Sequence, residues 1–294
     1  WGAGALGAHR RRPFSQDTEI TMVRLASLVH PARSARSARP ARLALLVGGV
    51  VVAGTALAGC GTAGSVDLSD VTPEHRSFAV EGRTLTIDTD DSEIELVPGD
   101  GKAGKDVKVT RWFDGWAVGG TVKATWAMEK DTLKLRQRCD GISVECKGKH
   151  RIEVPRGVRV IVEDENGGVV ARGIKGDLRL GSESGDIEVR DADGRLELTS
   201  EHGDVRAEDG IVSRSVSARS ENGNVTVRPA RVPDRVTGES ENGNVAVRLP
   251  GGPYRVDARS DTGRTRVGVP RDAASAHAVV ARSENGDVTV RTAG

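Results

Sequence analysis

Acidic side chains recur along this 294-residue sequence at glycine-marked turns: Glu183 and Asp186, Glu201 and Asp204, Glu221, Glu241, then Glu284 and Asp287. Carboxylates stacked at a fixed interval have two chemical uses. They can be hard oxygen ligands for calcium, or the acid and base of a glycosidase or polysaccharide lyase built on a β-helix. The spacing lacks the glycine-rich nonapeptide pattern of calcium-binding β-rolls. An enzyme needs one asymmetric constellation, and these acids are distributed evenly by their repeat. Read as solvated turn residues, they keep the surface soluble, with Arg206, Arg219, Arg228 and Arg248 offsetting their field. The histidines after residue 60 (His75, His150, His202, His277) are far apart, and His202 fills a variable turn position. There is no Gly-x-Ser-x-Gly elbow, phosphate loop or zinc-ligand pair. The sequence therefore assigns no catalytic residue, no cofactor and no metal.

Three cysteines remain. Met22 opens a stretch with Arg24, Arg33, Arg36, Arg39 and Arg42, followed by the apolar run Leu43 to Ala58 and then Leu57-Ala58-Gly59-Cys60. A basic region, an apolar run and a small-residue cleavage site make an export signal over residues 1–59, with 1–21 upstream of a start at Met22. The ending resembles the lipobox of bacterial lipoproteins, which implies cleavage before Cys60, acylation of its thiol (diacylglycerol, palmitate) and anchorage to the outer face of the cytoplasmic membrane. An uncleaved apolar anchor is the alternative, although Gly48, Gly49 and Gly54 make a poor spanning helix. Acylation of Cys60 leaves Cys139 and Cys146 as an even pair in an oxidising compartment, and so a disulfide. Asp140-Gly141 also reads as a two-residue hairpin turn, but that register would part the cysteines. A six-residue loop, Asp140 to Glu145, inside the disulfide is preferred.

Residues 60–75, with Gly61, Gly64, Ser65, Ser69 and Pro73, read as a tether. Two alternating strands follow around Asp90-Asp91-Ser92. From about residue 158 a turn recurs: Asn166-Gly167; Ser182, Gly185, Asp186; Ser200, Gly203, Asp204; Ser220, Asn222, Gly223, Asn224; Ser240, Asn242, Gly243, Asn244; Ser260, Gly263; and Ser283, Asn285, Gly286, Asp287. Its glycines are 18, 18, 20, 20, 20 and 23 residues apart. Short alternating strands flank every copy. The Asn-Gly pair supplies a backbone able to take positive φ. If each turn closed an antiparallel hairpin, a meander or propeller would result. If each repeat is one coil of a parallel solenoid, Ser stacks on Ser and Asn on Asn, which gives a reason for the same turn seven times. Seven coils at ~4.8 Å make a rod of about 34 Å.

The expected fold is thus all-β, a parallel β-solenoid of 18–23-residue coils with an aromatic-rich, disulfide-containing β insertion near its N-terminal end. Residues 76–150 hold a first coil and the insert, and 151–294 the repeat. Trp112, Phe113, Trp116 and Trp126 gather in the insert. It reads as a cap over the solenoid end or as a ligand-binding lobe, with Trp112, Trp116 and Trp126 as the binding candidates.

The Ser-Glu-Asn-Gly-Asp/Asn-Val signature, the strand Leu85 to Ser92 and Val154-Pro155-Arg156-Gly157-Val158 resemble the DUF4097 "putative adhesin" family, in its actinobacterial lipoprotein type, over about residues 76–292. The resemblance implies a β-solenoid at the cell surface and no catalytic residues. Arg264 and Thr265 depart from the family pattern of an acid or Asn followed by an aliphatic. With 43 basic and 42 acidic residues, no nucleic-acid partner is expected. The leading expectation is a non-catalytic, surface-displayed binding module for a cell-wall glycan or an envelope protein. An envelope sensor or accessory subunit of a membrane signalling system, and a carbohydrate-active enzyme, are the alternatives.

Overall fold

Alternation of aliphatic and polar residues sends successive side chains to opposite faces of a strand. It produces twenty-one strands and, among the described residues, no helix. The computed structural model describes residues 68–101 and 105–294. The export signal, Cys60 and the first half of the tether lie outside the described residues. In chain order, β1 (Glu74–Ala79), β2 (Thr84–Thr89) and β3 (Glu93–Pro98) precede the insert, which forms β4 (Asp106–Val118), β5 (Thr121–Glu129), β6 (Thr132–Asp140) and β7 (Ser143–Val154). The repeats supply β8 (Arg159–Asp164), β9 (Val169–Arg172), β10 (Leu178–Ser182), β11 (Ile187–Arg190), β12 (Leu196–Ser200), β13 (Val205–Ile211) and β14 (Ser215–Ser220). They continue with β15 (Val225–Pro229), β16 (Arg235–Ser240), β17 (Val245–Leu249), β18 (Arg255–Ser260), β19 (Thr265–Gly268), β20 (Ala278–Ser283) and β21 (Val288–Thr292).

The strands form two sheets, ordered β18-β20-β16-β14-β12-β10-β8-β2-β6-β5 and β1-β4-β7-β3-β9-β11-β13-β15-β17-β21-β19. Each coil gives one strand to each sheet, and neighbouring coils pair in parallel, like residue over like: Leu178 faces Leu196, Leu180 faces Leu198 and Ser182 faces Ser200. This is a parallel β-solenoid, and antiparallel pairing is confined to β1 with β4, β4 with β7 and the hairpin β5–β6. The inward residues, such as Val216, Ala218, Val225 and Val227, are fully buried between the sheets. Burying each larger aliphatic contributes roughly 1.5–3 kcal/mol, which lets a chain with few aromatics hold together.

Spatial order departs from chain order at both ends. The coil β6–β7 stacks outside β2–β3, which is flanked on its other side by β8–β9. At the far end β20–β21 lies between β16–β17 and β18–β19. The coil containing Arg264 and Thr265, sixth along the chain, is therefore the terminal one. Thr265 is exposed there, so that position does not require the aliphatic residue found in interior coils. The long return over residues 269–277 passes Tyr254, whose hydroxyl donates to Pro250 O at 2.8 Å and whose ring meets His277.

Two local expectations are corrected. None of the repeat glycines has positive φ; they are required by proximity. A Cβ on Gly223 would lie 2.2 Å from Gly203 O, and one on Gly185 1.8 Å from Gly167 O. The disulfide Cys139–Cys146 is present, with Cα atoms 6.5 Å apart, but no six-residue loop separates the cysteines. β6 and β7 belong to opposite sheets, so the chain turns a coil corner at Gly141-Ile142 and the bond ties one sheet to the other.

Candidate binding surface

The corner after each strand of the ten-stranded sheet carries the repeated turn. Its serine sits under the corner, buried, and its hydroxyl donates to the glycine carbonyl of the coil below. Ser200 reaches Gly185 O at 2.9 Å, Ser220 reaches Gly203 O at 2.8 Å, Ser240 reaches Gly223 O at 2.8 Å and Ser283 reaches Gly243 O at 2.8 Å. In the terminal coil Ser260 reaches Gly286 O at 2.7 Å and accepts from its own Gly263 N. Outside this column runs a ladder of amides. Asn242 donates to Asn222 Oδ1, Asn285 to Asn242 Oδ1, and the hydroxyl of Thr262 lies against Asn285 Oδ1. A second ladder follows the corner. The backbone of Asp204 donates to Asp186, Asn224 to Asp204, Asn244 to Asn224, Asp287 to Asn244 and Arg264 to Asp287. At the near end Asn166 bonds Asp91, and Gly167 packs on Ser92 O. These contacts satisfy polar groups that a bare corner would leave orphaned.

Between the serine column and the ladder of amides the acidic turn residues form one exposed file in spatial order: Glu165, Glu183, Glu201, Glu221, Glu241, Glu284 and Asp261. The file borders the outward face of the ten-stranded sheet. Two hollows lie along that face. One of about 670 Å³ is lined by residues including Glu163, Arg179, Glu197, Thr199 and Ser217. The other, of about 590 Å³, is lined by residues including Arg219, Glu239, Asp257, Arg259 and Arg282. Together they span the coils from β2 to β18. The floor of the second carries ion pairs, Arg219 with Glu239 and Arg282 with Asp257, and that of the first presents Arg179 beside Glu163 and Glu197. The sequence marked the acid wall of this trough and missed its floor, because outward strand positions become one surface only when the sheet partner of each strand is known.

At the N-terminal end two buried titratable groups stand out. Asp164 takes the place of the column serine. Its Oδ2 lies 3.1 Å from Ser182 Oγ, which is equally close to Gly167 O. Burial pushes its carboxyl up to about 8, against lesser opposing hydrogen bonds. A protonated Asp164 can donate to Ser182 while Ser182 donates to Gly167, which keeps the column continuous. The alignment of Asp164-Glu165-Asn166-Gly167 with Ser-Glu-Asn-Gly is the signal that would have found it. His150 is buried and neither ring nitrogen has a hydrogen-bond partner. Burial, and the charge of Arg111, lower it to about 3. His75 contacts Thr110, His202 the Glu183 carbonyl and His277 the Pro233 carbonyl. The structure brings none of these histidines together.

The three tryptophan candidates separate. Trp126 points inward, edge-on to Phe78, with the Arg111 guanidinium 4.2 Å above its ring. Trp112 and Trp116 lie on the other face of β4, and Trp116 is half exposed. β4 and β5 with β6 and β7 extend past the turn edge as a two-layered arm. Arg111 faces His150 at its base, and Val118 faces Ser143 at its tip.

A family model described as Toastrack DUF4097 matches residues 159–291, β8 into β21. The resemblance to DUF4097 is borne out over that stretch. No curated protein matches the chain significantly. Among solved structures the chain is similar to a "putative adhesin" from Bacteroides fragilis, at 15% identity over 76% of this chain and 97% of that one, with a TM-score of 0.46. It is also similar to a "putative cell adhesion protein" from Clostridium sporogenes (11%, 76% and 100%, 0.32). A third similar structure is a "putative adhesin" from Parabacteroides merdae (10%, 76% and 96%, 0.28).

Proposed function

We infer that this chain, whose residues 159–291 carry the DUF4097 repeat, is a non-catalytic binding module. It is exported, held by an acylated Cys60 at the outer face of the cytoplasmic membrane, and its trough grips an extended envelope polymer. The observation that carries this reading is the trough itself. Its wall and floor run along the rod and offer carboxylates, guanidiniums and hydroxyls at the interval of one strand, about 4.8 Å. A compact substrate would meet one coil, whereas a glycan chain meets many equivalent ones, each weak alone and additive along its length. Paired charges with hydroxyl-bearing neighbours suit a polar, hydroxyl-rich ligand.

The test is retention of the full chain, solubilised in detergent, on isolated cell wall and on glycan arrays. Reversing Arg179 and Arg219 to Glu should weaken retention at least about tenfold, the loss of roughly 1.4 kcal/mol or more from two charged contacts. Absence of retention by the unaltered protein, with crosslinking in cells that captures a single membrane protein, would establish the sensor reading instead.

A further inference from the structure

Among the described residues four large apolar side chains are exposed: Trp116 (51%), Val118 (54%), Ile142 (90%) and Val232 (40%). Three of the four meet at one place, the tip of the arm. There the β4–β5 turn rests on the β6–β7 corner: Ile142 N–H donates to Val118 O at 2.9 Å. A Cβ on Gly120 would collide with Asp140 O. The disulfide ties the two layers just behind this contact, so the tip is preformed and loses little conformational freedom on burial. Exposing such a cluster in water is unfavourable unless something covers it.

Charge and chain path identify what covers it. Residues 114–123 and 138–147 contain Asp114, Asp140 and Glu145 against Lys123, Arg138 and Lys147, a net charge of zero. Arg138 pairs with Asp140 and Lys147 with Glu145. β1 runs antiparallel to β4, with Glu74 opposite Arg111 and Ala79 opposite Asp106. The chain therefore enters the fold from the side on which the tip projects. Fourteen residues join Cys60 to Glu74, a reach of at most about 50 Å, while Trp116 is only ~17 Å along β4 from the level of Glu74. An anchor at Cys60 leaves the tip within reach of the same bilayer.

We infer that the arm tip, Trp116, Val118 and Ile142, is a second membrane contact that seats in the headgroup and upper acyl region of the bilayer. The inference rests on the lipid-anchored reading above. Tryptophan prefers that interface, and a multiply acylated Cys60, itself a stable anchor, holds the tip beside the bilayer so that its burial is an intramolecular step. With no net charge, the tip gains nothing from anionic lipid. The file of acids lies on the same edge, so anionic lipid repels the rod.

The test uses the full chain in phosphatidylcholine vesicles, with a fluorophore on Ile142→Cys and, for comparison, on Val232→Cys. Lipids brominated in the upper acyl chain should quench the label at 142 at least about fivefold more than that at 232, and replacing part of the lipid with phosphatidylglycerol should not increase the effect. Equal quenching at the two sites in vesicle-bound protein overturns the tip contact alone. Failure of the protein to associate with vesicles tells instead against the anchor. Sedimentation that shows tip-dependent dimers, abolished by Ile142→Asp, assigns the patch to a second copy and also overturns the inference.

Discussion

Asp164 closes the serine column with a carboxyl whose pKa burial raises from 3.8 to about 8. The folded state therefore keeps a proton that the unfolded state releases between those values, and stability falls as pH rises across that window. Asp164→Ser restores the column residue. It should stabilise the protein by about 2–4 kcal/mol at pH 8 and by little at pH 4, measured by urea denaturation at both. His150 acts with the opposite sign. Its pKa is lowered from 6.5 to about 3, so the unfolded state takes up a proton first and stability falls as pH drops from 6.5 towards 3. His150→Leu should flatten that acid limb. Between about pH 4 and 6.5 the two groups oppose each other. At this scale the sequence showed which residues repeat and hid which exceptions are buried. Asp164 looks like any turn acid until the strand before it is assigned to a sheet, and His150 looks like a surface histidine until β7 is seen sandwiched between β3 and β4.

The corner is the element on which stacking depends. Ser220 satisfies a carbonyl of the coil below, so Ser220→Ala leaves a buried acceptor unpaired and should cost about 2 kcal/mol. Gly223→Ala, whose new methyl would press on Gly203 O, should cost at least about 3 kcal/mol because whole coils must separate. Calorimetry of both variants would show the order Gly223→Ala worse than Ser220→Ala. A turn that needed only positive φ would tolerate Asn at 223, and this one should not. The corners were legible because stacking imposes identity from coil to coil. The arm was legible only as an aromatic cluster with two cysteines. Its strands are longer than the repeat's, alternate weakly and cross between sheets, so the loop expected inside the disulfide proved to be two strand ends meeting at the Gly141-Ile142 corner.

Along the whole molecule the seven acids of the turn file stand one strand apart. Like charges facing one another across neighbouring strands are unfavourable, and they are exposed enough for salt to screen them. Raising ionic strength from about 0.01 to 0.15 M shortens the screening length from ~30 to ~8 Å, and the melting temperature should rise; a fall would mean that the Arg–carboxylate pairs of the trough floor dominate instead. The rod itself was foreseeable from the period, but its ends were not, since period says nothing about which coil lies beside which. The one hint was the final spacing of 23 residues in place of 20. That end governs how the molecule can be made. β18 and β19 are synthesised before β20 and β21, yet both pair only with them. Growth by simple addition of coils halts at β17 and resumes only when β21 has emerged, so the later segment acts as a keystone. In a chain stopped at Gly268, amides of residues 255–268 should exchange hydrogen freely, and the uncovered flank of β16 and β17 would mark the product as unfinished to any protease that meets it.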